Sequence, residues 1–169
     1  MNRPATPSTP STPSKPHTPY FLDTNILIYA TSHAADHAQK REPARRWVGR
    51  ADWGVSTQVL MEFYAQARQT RHGLLPTAAQ AFVERIAARR PVVAVDKDIV
   101  LDALALRHRH YLSHWDAAVL CAAQRLGAHT VISEDMEHGR DYGGVTVINP
   151  FLPGPQFAPP PPDSTLNSP

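Results

Sequence analysis

The chain has a single cysteine, Cys121, and only two lysines, Lys40 and Lys97, between residues 20 and 152. One thiol builds no intramolecular disulfide framework, and in the run AAVLCAAQ it reads as a small buried apolar residue. No apolar run approaches the ~20 residues that a membrane-spanning helix needs. The first residues also lack the apolar stretch of a secretory signal. Nothing asks for an oxidising compartment or a membrane, so the cytoplasm is the expected location.

Proline is scarce where a fold would be. Of 17, six lie in residues 1–19 and seven in 153–169, which leaves Pro43, Pro76, Pro91 and Pro150. The first segment, MNRPATPSTPSTPSKPHTP, has no large apolar residue after Met1. It cannot offset the entropy of ordering its backbone. The last, PGPQFAPPPPDSTLNSP, is polyproline-like for the same reason. The expected organisation is a tail over 1–19, one globular domain over 20–152 and a second tail over 153–169.

Within 20–152, short apolar runs alternate with helical periodicity. YFLD (20–23) reads as a strand and NILIYATS as a helix. A polar helix is expected over roughly 34–50, with Pro43 near a break or in a first turn. WGVS (53–56) is a second strand. TQVLMEFYAQARQT then places Val59, Leu60, Phe63, Tyr64 and Ala67 at helical spacing. Pro76 opens the next helix, where proline is tolerated. After Pro91, VVAV is strand-like and DKDIVLDALALRHRHY helical. Ser113 starts SHWDAAVLCAAQRLG, which ends at Gly127. HTVIS (129–133) and GVTVINP (144–150) are the last two strands. The order β-α-α-β-α-α-β-α-α-β-β predicts an α/β fold in three layers, with about five short, mostly parallel strands covered by helices on both faces.

In such sheets the functional crevice lies beyond the carboxyl ends of the strands, and four acids are candidates for it. Asp23 ends the first strand and Asp135 follows the fourth. Asp116 is in the first turn of one helix, and Glu62 is a turn into another. Each has an ordinary role open to it. Asp23 suits a helix cap, Asp116 a capping box with Ser113, Glu62 a solvated face and Asp135 an Asx turn. Their joint placement argues for more. A carboxylate set without His or Cys ligands suits a hard cation such as Mg²⁺ or Mn²⁺ and not structural zinc. Residues 20–152 carry 15 Lys and Arg and 14 Asp and Glu. With four acids gathered in one pocket, the remaining surface is mildly basic, as a polyanion approaching bound metal requires.

These residues sit in segments that resemble the PIN-domain family. FLDTNILIYA at 21–30 is similar to its opening motif, and QVLMEFY at 58–64 to its second acidic motif. HWDAAVLCAA at 114–123 resembles the third, and VISEDMEHG with VTVINPF, within 131–151, the closing segment. Within the family the chain looks most like the VapC-type toxins of bacterial toxin–antitoxin pairs. The resemblance implies a Mg²⁺- or Mn²⁺-dependent ribonuclease with Asp23, Glu62, Asp116 and Asp135 as its acids. Asp23, Asp116 and Asp135 would ligate metal, with Asn25 and Ser133 supporting them. It also implies an RNA substrate, a cytoplasmic homodimer and an antitoxin protein whose tail occupies the groove.

Basic residues near aromatics are candidates for holding RNA: Arg107, Arg109 and His110 before the Asp116 helix, and Arg68, Arg71 and His72 after the Glu62 helix. The alternative for each is an ordinary helix end, where cations complement the dipole. Trp115 reads as a packing anchor. A haloacid-dehalogenase-type phosphatase needs a second Asp where Asn25 stands, and a receiver domain needs an acidic pair and a suitably placed lysine, where this core has only Lys40 and Lys97. Two readings stay beside the toxin: a PIN fold that binds RNA or protein without activity, and an RNA-processing nuclease that is not a toxin.

Overall fold

The computed structural model describes residues 18–69 and 73–153. The two expected tails, apart from their innermost residues, lie outside the described residues, as do Arg71 and His72. Strand β1 (Tyr20–Leu22) leads into helix α1 (Thr24–Thr31). A short 3-10 turn at Ala35–His37 precedes α2 (Ala38–Gly49), β2 (Trp53–Ser56) and α3 (Thr57–Ala67). Then follow α4 (Pro76–Arg89), β3 (Val92–Val93), α5 (Lys97–His110), α6 (His114–Leu126), β4 (Thr130–Ile132) and β5 (Thr146–Ile148). The succession of strands and helices is the one the periodicity predicts.

Local chemistry sets most of the helix starts. Ser56 caps α3 through the Val59 amide at 3.3 Å, Asp96 caps α5 through Ile99 at 2.9 Å, and Ser113 caps α6 through Asp116 at 3.0 Å. Pro76 opens α4 at a position where its missing N–H costs nothing. Gly127 ends α6 at φ 84°, the left-handed conformation that glycine takes without strain. Pro43 departs from expectation. It lies inside α2, neither at a break nor in the first turn. It deprives the Gln39 carbonyl of its helical donor. The helix continues because Ala44 and Trp47, on the far side of the proline, are buried in the core.

The five strands run β3-β2-β1-β4-β5, every pair parallel. β1 is central, with Phe21 opposite Gly54 on one side and Val131 on the other. The chain winds outward from β1 through β2 to β3, then returns to the far side of β1 as β4. The point where the winding reverses therefore falls between β1 and β4. Gly54 is required where it stands: a Cβ there would lie 2.7 Å from the Pro91 carbonyl oxygen and 2.6 Å from a Leu126 methyl. α6 crosses the sheet with Ala117, Ala118, Ala122 and Ala123 buried. Small side chains let its backbone approach the strands closely. Cys121 is buried among them, and burial pushes its thiol up to about 11. Among the described residues no helix is long and apolar enough to cross a membrane.

Candidate active site

The reversal between β1 and β4 opens a cleft of about 520 Å³ at the carboxyl ends of the strands. Asp23, Glu62, Asp116 and Asp135 all line it. Four elements deliver them: the end of β1, the face of α3, the first turn of α6 and the loop after β4. Two of these acids also take the ordinary roles open to them. Asp23 caps α1 by accepting the Thr24 amide at 2.6 Å on one carboxylate oxygen. Its other oxygen accepts the Ser133 hydroxyl at 2.7 Å and the Asn25 amide at 3.3 Å. Asp116 accepts the hydroxyl of Ser113 at 2.7 Å, so the capping box also holds the carboxylate in place.

Asn25 and Ser133 hydrogen-bond to these carboxylates. The Asn25 amide donates to Asp23, to Ser133 at 3.0 Å and to Asp135 at 2.9 Å, so one nitrogen ties two of the acids together. Ser133 also accepts the Asp135 backbone amide at 3.1 Å. Glu62 is held separately, by the Thr24 hydroxyl at 3.2 Å and the Gln58 amide at 2.8 Å.

The electrostatics are those of crowded acids. Burial pushes the Asp23 carboxyl up to about 7, against the opposing pull of the Ser133 hydroxyl and the Thr24 amide. The charges of Asp135 and Asp116 raise it further. Burial also raises Asp116, and Asp135 adds to it. Among the described residues, no lysine or arginine lines the cleft. The Asn25 carbonyl oxygen is buried with no hydrogen-bond partner among the described residues. Among the described residues, no three His, Cys, Asp or Glu side chains stand close enough to hold an ion unaided. A donor set of hard oxygens, mutually repelling and spaced loosely, fits an ion that keeps several waters and takes one or two carboxylates. Mg²⁺ and Mn²⁺ fit that description.

Sequence reasoning missed Gln58 and Gln66, which flank Glu62 at four-residue spacing on one face of α3 and line the same cleft. That spacing was the available signal. It also missed Glu134. This carboxylate takes the Tyr29 hydroxyl and, at 2.5 Å, the Lys40 ammonium, which pins the loop carrying Ser133 and Asp135 to α1 and α2. Lys40 lies 4.6 Å from the Tyr29 ring centre, and Phe151 packs against the same ring. Trp115 is not the expected packing anchor. The residue is 61% exposed and lines the cleft. α6 turns its alanines to the sheet, which points its second residue outward.

Of the six basic residues considered for RNA, the four that are described, Arg68, Arg107, Arg109 and His110, are not among the residues lining the cleft. Arg107 borders a separate, smaller hollow with His108, Tyr111 and Leu112. Arg109 is exposed on the last turn of α5. The His110 ring packs edge-on to Tyr142 at 5.3 Å. Arg68, just past α3, lays its guanidinium over Tyr64 at 4.9 Å.

The chain belongs to the PIN-domain family, which it matches over residues 20–140. It is similar in structure to VapC20 of Mycobacterium tuberculosis, described as a sarcin-ricin loop cleaving toxin. The identity is 20%, over 70% of this chain and 91% of that one, with a TM-score of 0.57. It is also similar to a toxin–antitoxin complex from Klebsiella pneumoniae, at 22% identity over 78% and 97% of the two chains and a TM-score of 0.55. DNA-bound VapBC from Salmonella typhimurium matches at 20% identity over 76% and 95%, with a TM-score of 0.54. At such identities the likeness is one of fold. No curated protein matches the chain in sequence.

Proposed function

We propose that this protein is a Mg²⁺- or Mn²⁺-dependent ribonuclease and the toxin of a toxin–antitoxin pair. The observation that carries the reading is the convergence of Asp23, Glu62, Asp116 and Asp135 on one cleft, with no lysine or arginine among the described residues that line it. Asp23, Asp116 and Asp135 would hold the metal, in part through the waters it keeps. Bound there, it supplies Lewis acidity to the phosphate and lowers the pKa of a water molecule. The remaining work is the chain's own. Asn25 and Ser133 fix the orientation of Asp23 and Asp135, and Ser113 fixes Asp116. Glu62, held by Thr24 and Gln58, orients the attacking water and accepts its proton. Water adds to phosphorus as a P–O ester bond of the RNA backbone breaks.

The toxin assignment draws support from structural neighbours that are toxin–antitoxin complexes. An antitoxin segment would block RNA by occupying the cleft. A homodimer in the cytoplasm completes the reading. α5 supports it by leaving Val100, Leu101 and Leu104 exposed on one side, apolar surface that a second copy would cover. The test is cleavage of a total RNA pool by the full chain with Mg²⁺ or Mn²⁺, with EDTA, and with Asp23→Asn and Asp116→Asn. Discrete fragments that vanish with chelator and with either substitution are expected. Failure of folded, metal-supplied wild type to cut any of several RNA pools would overturn the reading in favour of an inactive binding module. Growth arrest on expression, relieved by a partner protein, separates a toxin from an RNA-processing nuclease.

A further inference from the structure

Two of the three tryptophans are core residues, Trp47 at 4% and Trp53 at 1% exposure. The third, Trp115, is largely exposed and lines the cleft with the acids. It immediately precedes Asp116, and its backbone carbonyl accepts the Gln58 amide at 3.4 Å, which joins the start of α6 to the face of α3 that carries Glu62. The His114 ring packs at an angle to the indole, centres 5.8 Å apart. The indole is therefore set at the cleft while remaining uncovered. An exposed aromatic is unremarkable alone. An exposed indole on the wall of a polar cleft is a stacking platform in search of a flat partner.

We propose that Trp115 is a substrate-binding residue on which an unpaired nucleobase of the RNA stacks, next to the phosphate to be cut. This deepens the ribonuclease reading and rests on it. A base inside a duplex has both faces covered, so the platform selects single-stranded or loop RNA, whose bases can be splayed out. Gln66, two helical turns from Gln58 on the same face of α3, offers amide donors and acceptors to the base edge. Stacking attracts every base and needs no positive charge, so it suits a wall beside carboxylates where a lysine would pair with them.

The buried positions of Trp47 and Trp53 make intrinsic fluorescence a selective reporter of Trp115. The full-length Asp23→Asn chain, expected to bind without cutting, is titrated with a short single-stranded RNA and with a duplex of equal length. Saturable quenching by the single strand, weaker with the duplex and lost in Asp23→Asn/Trp115→Phe, is expected. In cleavage assays on an otherwise native chain, Trp115→Ala raises KM roughly 5- to 100-fold with kcat and melting temperature little changed, and Trp115→Tyr recovers most of the loss. If wild type cleaves RNA and Trp115→Ala keeps its KM, the stacking proposal is overturned while the nuclease reading stands, and the indole belongs to a protein-binding face. If no RNA is cut but the quenching is present, the platform stands and the nuclease reading falls.

Discussion

Neutralising Asp23 should stabilise the metal-free protein at alkaline pH while abolishing its response to metal. Asp23 is a carboxyl raised from 3.8 to about 7 in the fold, chiefly by burial. Each unit of difference between folded and unfolded states is worth about 1.4 kcal/mol, so an ionised Asp23 opposes folding by at most about 4 kcal/mol. The direction follows from proton binding. Between about pH 4 and 7 the folded chain holds this proton and the unfolded chain releases it. Stability from this group is therefore complete below the unfolded pKa, declines as pH rises, and is lost above about 7. Asparagine at this position removes the charge and can still accept the Thr24 amide. Its own N–H₂ would meet the Asn25 amide, and the Ser133 hydroxyl would lose its carboxylate acceptor, at a cost of about 1–2 kcal/mol. The net gain for Asp23→Asn in chelator near pH 8 is then about 1–3 kcal/mol, several degrees in melting temperature, and it shrinks or reverses near pH 5. Thermal melts of both full-length proteins in EDTA at the two pH values measure it. Added Mg²⁺ should raise the melting temperature of wild type at pH 8 and leave the variant unmoved. A difference between the two proteins that does not change with pH would refute the reasoning.

Two further outcomes follow from particular contacts. Gly54→Ala puts a methyl 2.7 Å from the Pro91 carbonyl oxygen; the Leu126 tip can move aside but the backbone cannot, so stability should fall by about 1–3 kcal/mol, and an unchanged urea midpoint would contradict this. Lys40→Met leaves Glu134 without its ammonium partner and frees the loop that carries Asp135. Cleavage should then need roughly 10-fold more Mg²⁺, and Glu134→Gln in the same chain should restore part of the loss, because a neutral amide needs no cation. Wild-type Mg²⁺ dependence in Lys40→Met would remove Glu134 from any positioning role.

What could be read in advance and what could not divides along the distance over which a residue's neighbours are chosen. Asp23, Ser56, Asp96 and Ser113 act within three residues of themselves, as caps, so a short stretch of sequence announces both the helix and where its first turn must point. Two acids inherit positions from that local grammar: Asp23 is itself a cap, and Asp116 hangs from Ser113. Alternating strands and helices then suffice to bring strand ends and helix starts to one edge. Glu134 is different. Its partners Tyr29 and Lys40 are 105 and 94 residues away, and no periodicity marks which charge in a polar helix will reach across. Pro43 fails for a related reason: its local preference argues for a break, and burial of Ala44 and Trp47, a property of the assembled core, overrides it. The basic run Arg107–His110 satisfies a local rule about helix ends, and that rule carries no information on where the end of α5 lies relative to the acids. Trp115 combines both cases. Its position beside Asp116 was plain, but whether an indole in the first turn of α6 faces core or solvent depends on which face the alanines take, and the tightly packed sheet side leaves only the cleft.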